Sequence, residues 1–362
     1  MFQIKKQLSK LYTSSILGNL SLTGAWVAIL AARGYSLVQI GIAETVFHIV
    51  SLLFEIPSGV LADVFGKKKM LMVSTLMAMV SDVVMILSCN LWMVCLSIAF
   101  RALSYNFSSG SGDALAYDSL KLAGQENRFE RYESNQMVIW RSCDGLSTLC
   151  AGFALTIGHQ LAYGVSLITG TIQLLILSSL REVCVVEEDS TQPIGKRLIA
   201  CFRESFGFIK GVRSVLGLMF CNSFVGAVDT LLVFFLQAKL PERGIPAWAL
   251  GLALLFIQLG GIVGSRLILW VPKLSYRWIF AGSAALVAVG FLAEHAPLYW
   301  VMALGGFLSA LGDDALQVRT NAILQDQFPS EQRATLTSVE SFTFSVIMIV
   351  LSPLAGFVFT LW

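Results

Sequence analysis

The chain has 362 residues, 56% of them hydrophobic and 13% charged, with a mean hydropathy of +0.74. A soluble domain carries about 25% charged residues, and half that share leaves too little polar surface to wrap a water-soluble particle of this size. A net charge of +2 removes the basic excess expected of a nucleic-acid-binding protein. What remains is a chain buried in a lipid bilayer. One crossing needs roughly 20 apolar residues, and each crossing is expected to be an α-helix because backbone groups cannot go unpaired in lipid.

Apolar runs separated by short polar breaks predict helices over about 12–31, 37–62, 70–89, 91–119, 130–157, 161–180, 213–238, 247–271, 277–294, 298–326 and 332–361. The start, MFQIKKQLSKLYTSS, lacks the apolar core and cleavage site of a signal peptide and reads as a cytoplasmic N-terminus. A charge at bilayer depth costs about 2.5–3.5 kcal/mol, so such residues normally face a cavity or a partner. In the second helix Glu44, His48 and Glu55 fall on one stripe with Ser51 beside it. The fourth carries Arg101 near its middle, with Tyr105, Ser108 and Gly112 on the same face. In the fifth, Arg141 and Asp144 stand three apart and are expected to form a structural ion pair. The seventh holds Asn222 and Asp229, the tenth Asp313, Asp314, Gln317 and Arg319, and the eleventh Glu340. Glu44, His48, Arg101, Tyr105, Asp229 and Asp313 are the candidates for carrying protons or contacting substrate.

The stretch 181–212 is the longest polar one. Within it Leu198, Phe202, Phe206 and Ile209 recur every three or four residues among basic residues, which predicts an amphipathic helix lying on the membrane face. The domain division expected is an N-terminal six-helix bundle over 1–182, a linker over 183–212 and a C-terminal bundle of about five helices over 213–362. With the N-terminus inside, 18 lysines and arginines fall in inner segments and 3 in outer ones, a positive-inside bias.

The chain repeats itself. SGSGDALAYDSL (109–120) resembles SALGDDALQVRT (309–320), AGFAL (151–155) resembles AGFVF (355–359), and Gly59 falls on Gly264 at a similar offset. Parallel repeats of this kind are a transporter architecture. By this count a partner for the sixth helix is absent after Trp362, so about 11 crossings are expected, with the twelfth missing and the C-terminus outside.

Between the second and third helices, Gly59, Leu61, Ala62, Asp63, Gly66, Lys67, Lys68 and Leu71 read G-x-L-A-D-x-x-G-K-K-x-x-L. This resembles the loop 2–3 signature of the major facilitator superfamily, and YDSL at 117–120 and PSEQRAT at 329–335 are similar to its compact bacterial members. The resemblance implies an all-α membrane fold of two pseudo-symmetric bundles. It also implies a gating role for Gly59, Asp63, Gly66, Lys67 and Lys68, with Asp63 placed against the start of the eleventh helix near Ser330. Val64 stands where the family usually has arginine. Physically, Gly59 permits close helix packing and Gly66 a tight turn.

The function expected is secondary active transport of a small organic molecule across the cytoplasmic membrane by alternating access, as proton-coupled efflux by antiport. The alternatives are proton-coupled uptake by symport and, of another class, a non-transporting membrane binding protein or truncated remnant. No P-loop is present, which leaves ATP-driven transport without support. No nucleophile has a nearby base, the histidines are only His48, His159 and His295, and none of the seven cysteines forms a C-x-x-C pair. No enzyme activity, metal or cofactor is therefore expected. The partners are substrate, protons or another coupling ion, and the bilayer, with the chain a monomer.

Overall fold

The structure is a computed structural model that describes residues 3–183, 213–327 and 333–361. The expected amphipathic helix in the linker and the start of the last helix near Ser330 lie outside the described residues.

Each expected apolar run carries helix, and three of them are divided. The first becomes α1 (Ile4–Asn19) and α2 (Trp26–Ala32), followed by the unbroken α3 (Leu37–Phe65) and α4 (Lys67–Leu87). The fourth run divides into α5 (Leu91–Ser108) and α6 (Ser111–Leu122), and the fifth into α7 (Phe129–Leu149) and α8 (Ala151–Ile157), before α9 (His159–Ser178). Then follow α10 (Arg213–Glu242), α11 (Ala247–Leu267), α12 (Tyr276–Ala293), α13 (Tyr299–Gln327) and α14 (Arg333–Thr360). Among the described residues seven helices are long and apolar enough to cross a membrane. The runs that fall short are the divided ones and α13, whose Asp313, Asp314 and Arg319 lower its hydropathy.

The divisions have local causes. At 20–25 side chains replace main-chain partners: the Ser21 N–H donates to Ser147 Oγ at 3.0 Å, and the Thr23 N–H donates to Ser21 Oγ at 2.9 Å. At 109–110 the chain enters the left-handed region at Gly110, φ +70°.

By internal contacts the chain forms two compact units. The first comprises Met1–Gly24, Val46–Ser147 and Ile157–Arg203; the second comprises Ala25–Thr45, Thr148–Thr156 and Glu204–Trp362. In the first, α4 packs along α5 and α9, and α1 along α9. Its core gathers Leu11, Leu115, Tyr132, Leu177 and Leu180. In the second, α13 packs between α11 and α12, and α10 lies against α13 and α14, around Val225, Ile268, Ile279, Val287 and Leu316. The α11–α13 crossing is close because a Cβ at Gly260 or Gly264 would collide with the carbonyl of Phe307 or Leu311.

Candidate gate and intramembrane charges

The lysine-rich turn is held by its own unit. Gly66, at φ +98° and ψ 143°, starts α4. A Cβ there would stand 2.6 Å from Glu182 Oε2. Instead the Glu182 carboxylate accepts the Lys68 N–H at 3.1–3.2 Å, a negative charge on the N-terminus of α4. Lys67 pairs with Asp118 of YDSL on α6, so the two sequence signatures meet in space. Lys68 Nζ donates to the Ser178 carbonyl at 2.7 Å and Lys10 Nζ to that of Ser179 at 2.6 Å. Gln7 brackets Arg181, donating to its carbonyl at 2.8 Å and accepting its N–H at 3.2 Å. The turn thereby clasps the chain as it leaves α9. The Asp63 side chain lies outside the described residues. Among those described, no atom lies within 4 Å of a Cβ position at Gly59, so the close packing expected there is made only at its repeat counterpart Gly264.

The repeat counterpart of this turn is held differently. Arg319 of α13 donates to the carbonyls of Pro272 at 2.9 Å and Val271 at 3.1 Å, capping the turn after α11. One turn is thus tied by an ion pair and its repeat counterpart by arginine on carbonyls.

The second unit contains a twofold set of close crossings. A Cβ at Gly41 would collide with the Ser352 carbonyl, and one at Gly356 with that of Leu37. A Cβ at Gly251 would collide with the Leu149 carbonyl, and one at Gly152 with that of Ala247. Leu37 and Ala247 are the first residues of α3 and α11, and Gly41 and Gly251 come four later in each. Gly152 and Gly356 occupy the same place in AGFAL and AGFVF. The same correspondence extends upstream. Gly34 and Gly244, at φ +87° and +83°, end the preceding helices. Tyr35 N–H donates to the Leu30 carbonyl at 3.2 Å and Ile245 N–H to that of Leu240 at 3.3 Å, closing one and the same helix-ending motif. Side chains reinforce both crossings: Thr45 Oγ1 donates to the Ile349 carbonyl at 3.2 Å, and Gln258 Nε2 to Thr148 Oγ1 at 3.1 Å.

Glu44 and His48 are both buried on α3, one turn apart. Ser51, on the same stripe, donates to Asn106 Oδ1 at 3.2 Å, and Asn106 returns a bond to its carbonyl at 3.1 Å. Tyr105 is exposed and touches Phe47. Arg101 pairs with Asp82 of α4, a partner absent from the sequence expectations. Asp82 was detectable in principle as the lone acid in the 21-residue apolar α4. Arg141 lies over the Trp140 ring, its guanidinium carbon 4.7 Å from the centroid, with Asp144 one turn along. In the second unit Asp229 accepts from Ser309 Oγ at 2.5 Å. Asp313 approaches the backbone of α10 at Gly226, and Asp314 that of α11 at Gly261. The structure therefore brings Asp229 and Asp313 to one place between α10 and α13. Asn222 donates to Glu340 at 2.9 Å, tying α10 to α14.

No family model and no curated protein sequence matches the chain. Solved structures do. The nucleoside transporter NupG matches with a TM-score of 0.76 at 13% identity, covering 97% of this chain and 91% of its own. A bacterial homolog of the human lysosomal transporter Spinster, inward-facing and unoccupied, matches at 0.70 and 15%, over 97% of this chain and 80% of its own. The peptide transporter POT matches at 0.70 and 14%, over 95% and 87%. The chain has the major facilitator fold. It is a multi-pass helical membrane protein, with two pseudo-symmetric sets of helices as the repeat implied.

Proposed function

We propose that this major facilitator-fold protein is a secondary active transporter of a small organic molecule, working by alternating access and exporting its solute in exchange for protons. The observation that carries the reading is the twofold set of glycine crossings, α3 with α14 and α8 with α11. Each is a backbone-to-backbone contact that can part and re-form without unpairing a hydrogen-bonded helix, as a gate at one membrane face requires. The solved proteins of this fold support it: they are named as nucleoside, peptide and D-xylose–proton transporters.

In this reading the N-terminus is cytoplasmic and the chain sits as a monomer in the cell membrane, so the glycine crossings close the outer face. Asp63, with Gly59, Gly66, Lys67 and Lys68, forms the inner gate. Glu44, His48, Asp229 and Asp313 are the proton sites, and Arg101 and Tyr105 face the solute. Arg141 and Asp144 hold helix packing.

The test is flux in proteoliposomes carrying a pH gradient, with nucleosides, a dipeptide, xylose and an amphipathic organic cation as probes. Accumulation driven by an acid lumen and none by an acid exterior is the expected result. The opposite asymmetry establishes uptake by symport, the second reading, which the fold match to a D-xylose–proton symporter favours. Asp63→Asn is expected to lower turnover about fivefold or more, the scale of a modest coupling energy, with the melting midpoint unchanged. Wild-type turnover would remove Asp63 from the gate.

A further inference from the structure

A small cavity of about 50 Å³ lies inside the first unit, beside the C-terminal end of α1. It is far smaller than the roughly 300–1,000 Å³ of an organic-ligand site and holds a few waters or one bare ion. Its lining includes the Arg101 guanidinium and apolar side chains, and the other polar groups present mainly electron pairs. Thr75 Oγ1 spends its hydrogen on the Leu71 carbonyl at 3.0 Å, and Thr169 Oγ1 on that of Ser166 at 3.0 Å. Gln173 Nε2 is turned to Ser14, leaving Oε1 as acceptor.

The broken helix adds carbonyls. Because the Ser21 N–H goes to Ser147, no main-chain N–H among the described residues closes on the Leu17 or Gly18 carbonyl, and both residues line the cavity. The negative end of the α1 dipole points the same way, and half-helix ends at bilayer depth are where membrane proteins hold cations. Asp82, its side chain 3% exposed, also lines the cavity. One carboxylate oxygen takes Arg101, and the second meets no donor among the described residues.

We propose that this cavity is a sodium site, its ligands the free Asp82 oxygen, the Leu17 and Gly18 carbonyls and the Thr75 and Thr169 hydroxyls. Arg101 is its built-in competitor. In the ion-free state the guanidinium neutralises Asp82. Sodium takes over that role, and Arg101, 38% exposed, swings off the carboxylate without crossing the core. This goes beyond the transport reading and does not rest on it, since binding is read on purified protein with no solute present.

The experiment is thermal unfolding in detergent at fixed pH and ionic strength, in sodium chloride against choline chloride, with radioactive sodium binding in parallel. Sodium is expected to raise the melting midpoint saturably and to bind at one site per chain. Asp82→Asn abolishes both effects. Arg101→Gln keeps them and lowers the half-saturating sodium concentration by roughly tenfold, the effect of removing one competing charge. If Asp82→Asn does not fold, Thr169→Val decides, since it must raise that concentration. Three results overturn the site: no difference between sodium and choline in the wild type, sodium binding that survives Asp82→Asn or is unmoved by Thr169→Val, or a midpoint that follows pH and not sodium.

Discussion

Gly66 occupies a backbone region that is nearly closed to other residues, and Glu182 fills the space a side chain would need. Gly66→Ala is therefore expected to cost about 1–3 kcal/mol from backbone strain, and to push the carboxylate off the Lys68 N–H. A lowered melting midpoint of the purified protein checks this. Gly66→Asn fails to rescue, because asparagine tolerates only the left-handed helical region. An unchanged midpoint would show that the turn relaxes freely. At this scale the sequence was partly readable. The glycine stood out because few residue types suit a positive φ, and the lysines because three in a row are rare between apolar runs. Their partners Asp118 and Glu182 did not, since what pairs them is the course of α6 and of the chain after α9. Arg101 was visible as a charge in an apolar run, while its pairing with Asp82, the lone acid of α4, became evident only once α4 and α5 were seen side by side.

Helix contacts between the repeats rest on glycine meeting a carbonyl oxygen. Such a contact writes only one residue type into the sequence, because every residue has a carbonyl. That is why SGSGDALAYDSL and AGFAL disclosed the repeat, while the correspondence of Gly34, Leu37 and Gly41 with Gly244, Ala247 and Gly251 emerged from the backbone. The division of the first run was hidden for a related reason. Ser21, Thr23 and Ser147 take over backbone partners only where α7 lies beside the break. Gly152→Val is expected to wedge α8 from α11 at a cost of about 1–3 kcal/mol by overpacking. A cysteine at Thr148 then becomes more reactive to a water-soluble thiol reagent than in the Gly152 protein. Equal reactivity would mean that the crossing absorbs the side chain.

At the scale of the whole molecule the all-helical class and membrane burial were legible from the scarcity of charge and the duplication from the repeated motifs, and the solved structures of the same fold agree. A solute was not, because no motif in the sequence specifies one. The central claim is that the twofold crossings are a gate and must part for solute to move. The most direct test places cysteine pairs at Thr148 with Gln258 and at Thr45 with Ile349, in a chain freed of its seven native cysteines. Each pair is linked by a short thiol reagent, and flux of the solute identified in proteoliposomes is measured before linking, after it, and after reductive release. The account predicts that either link stops flux and release restores it; flux at the unlinked rate through fully linked protein would contradict it.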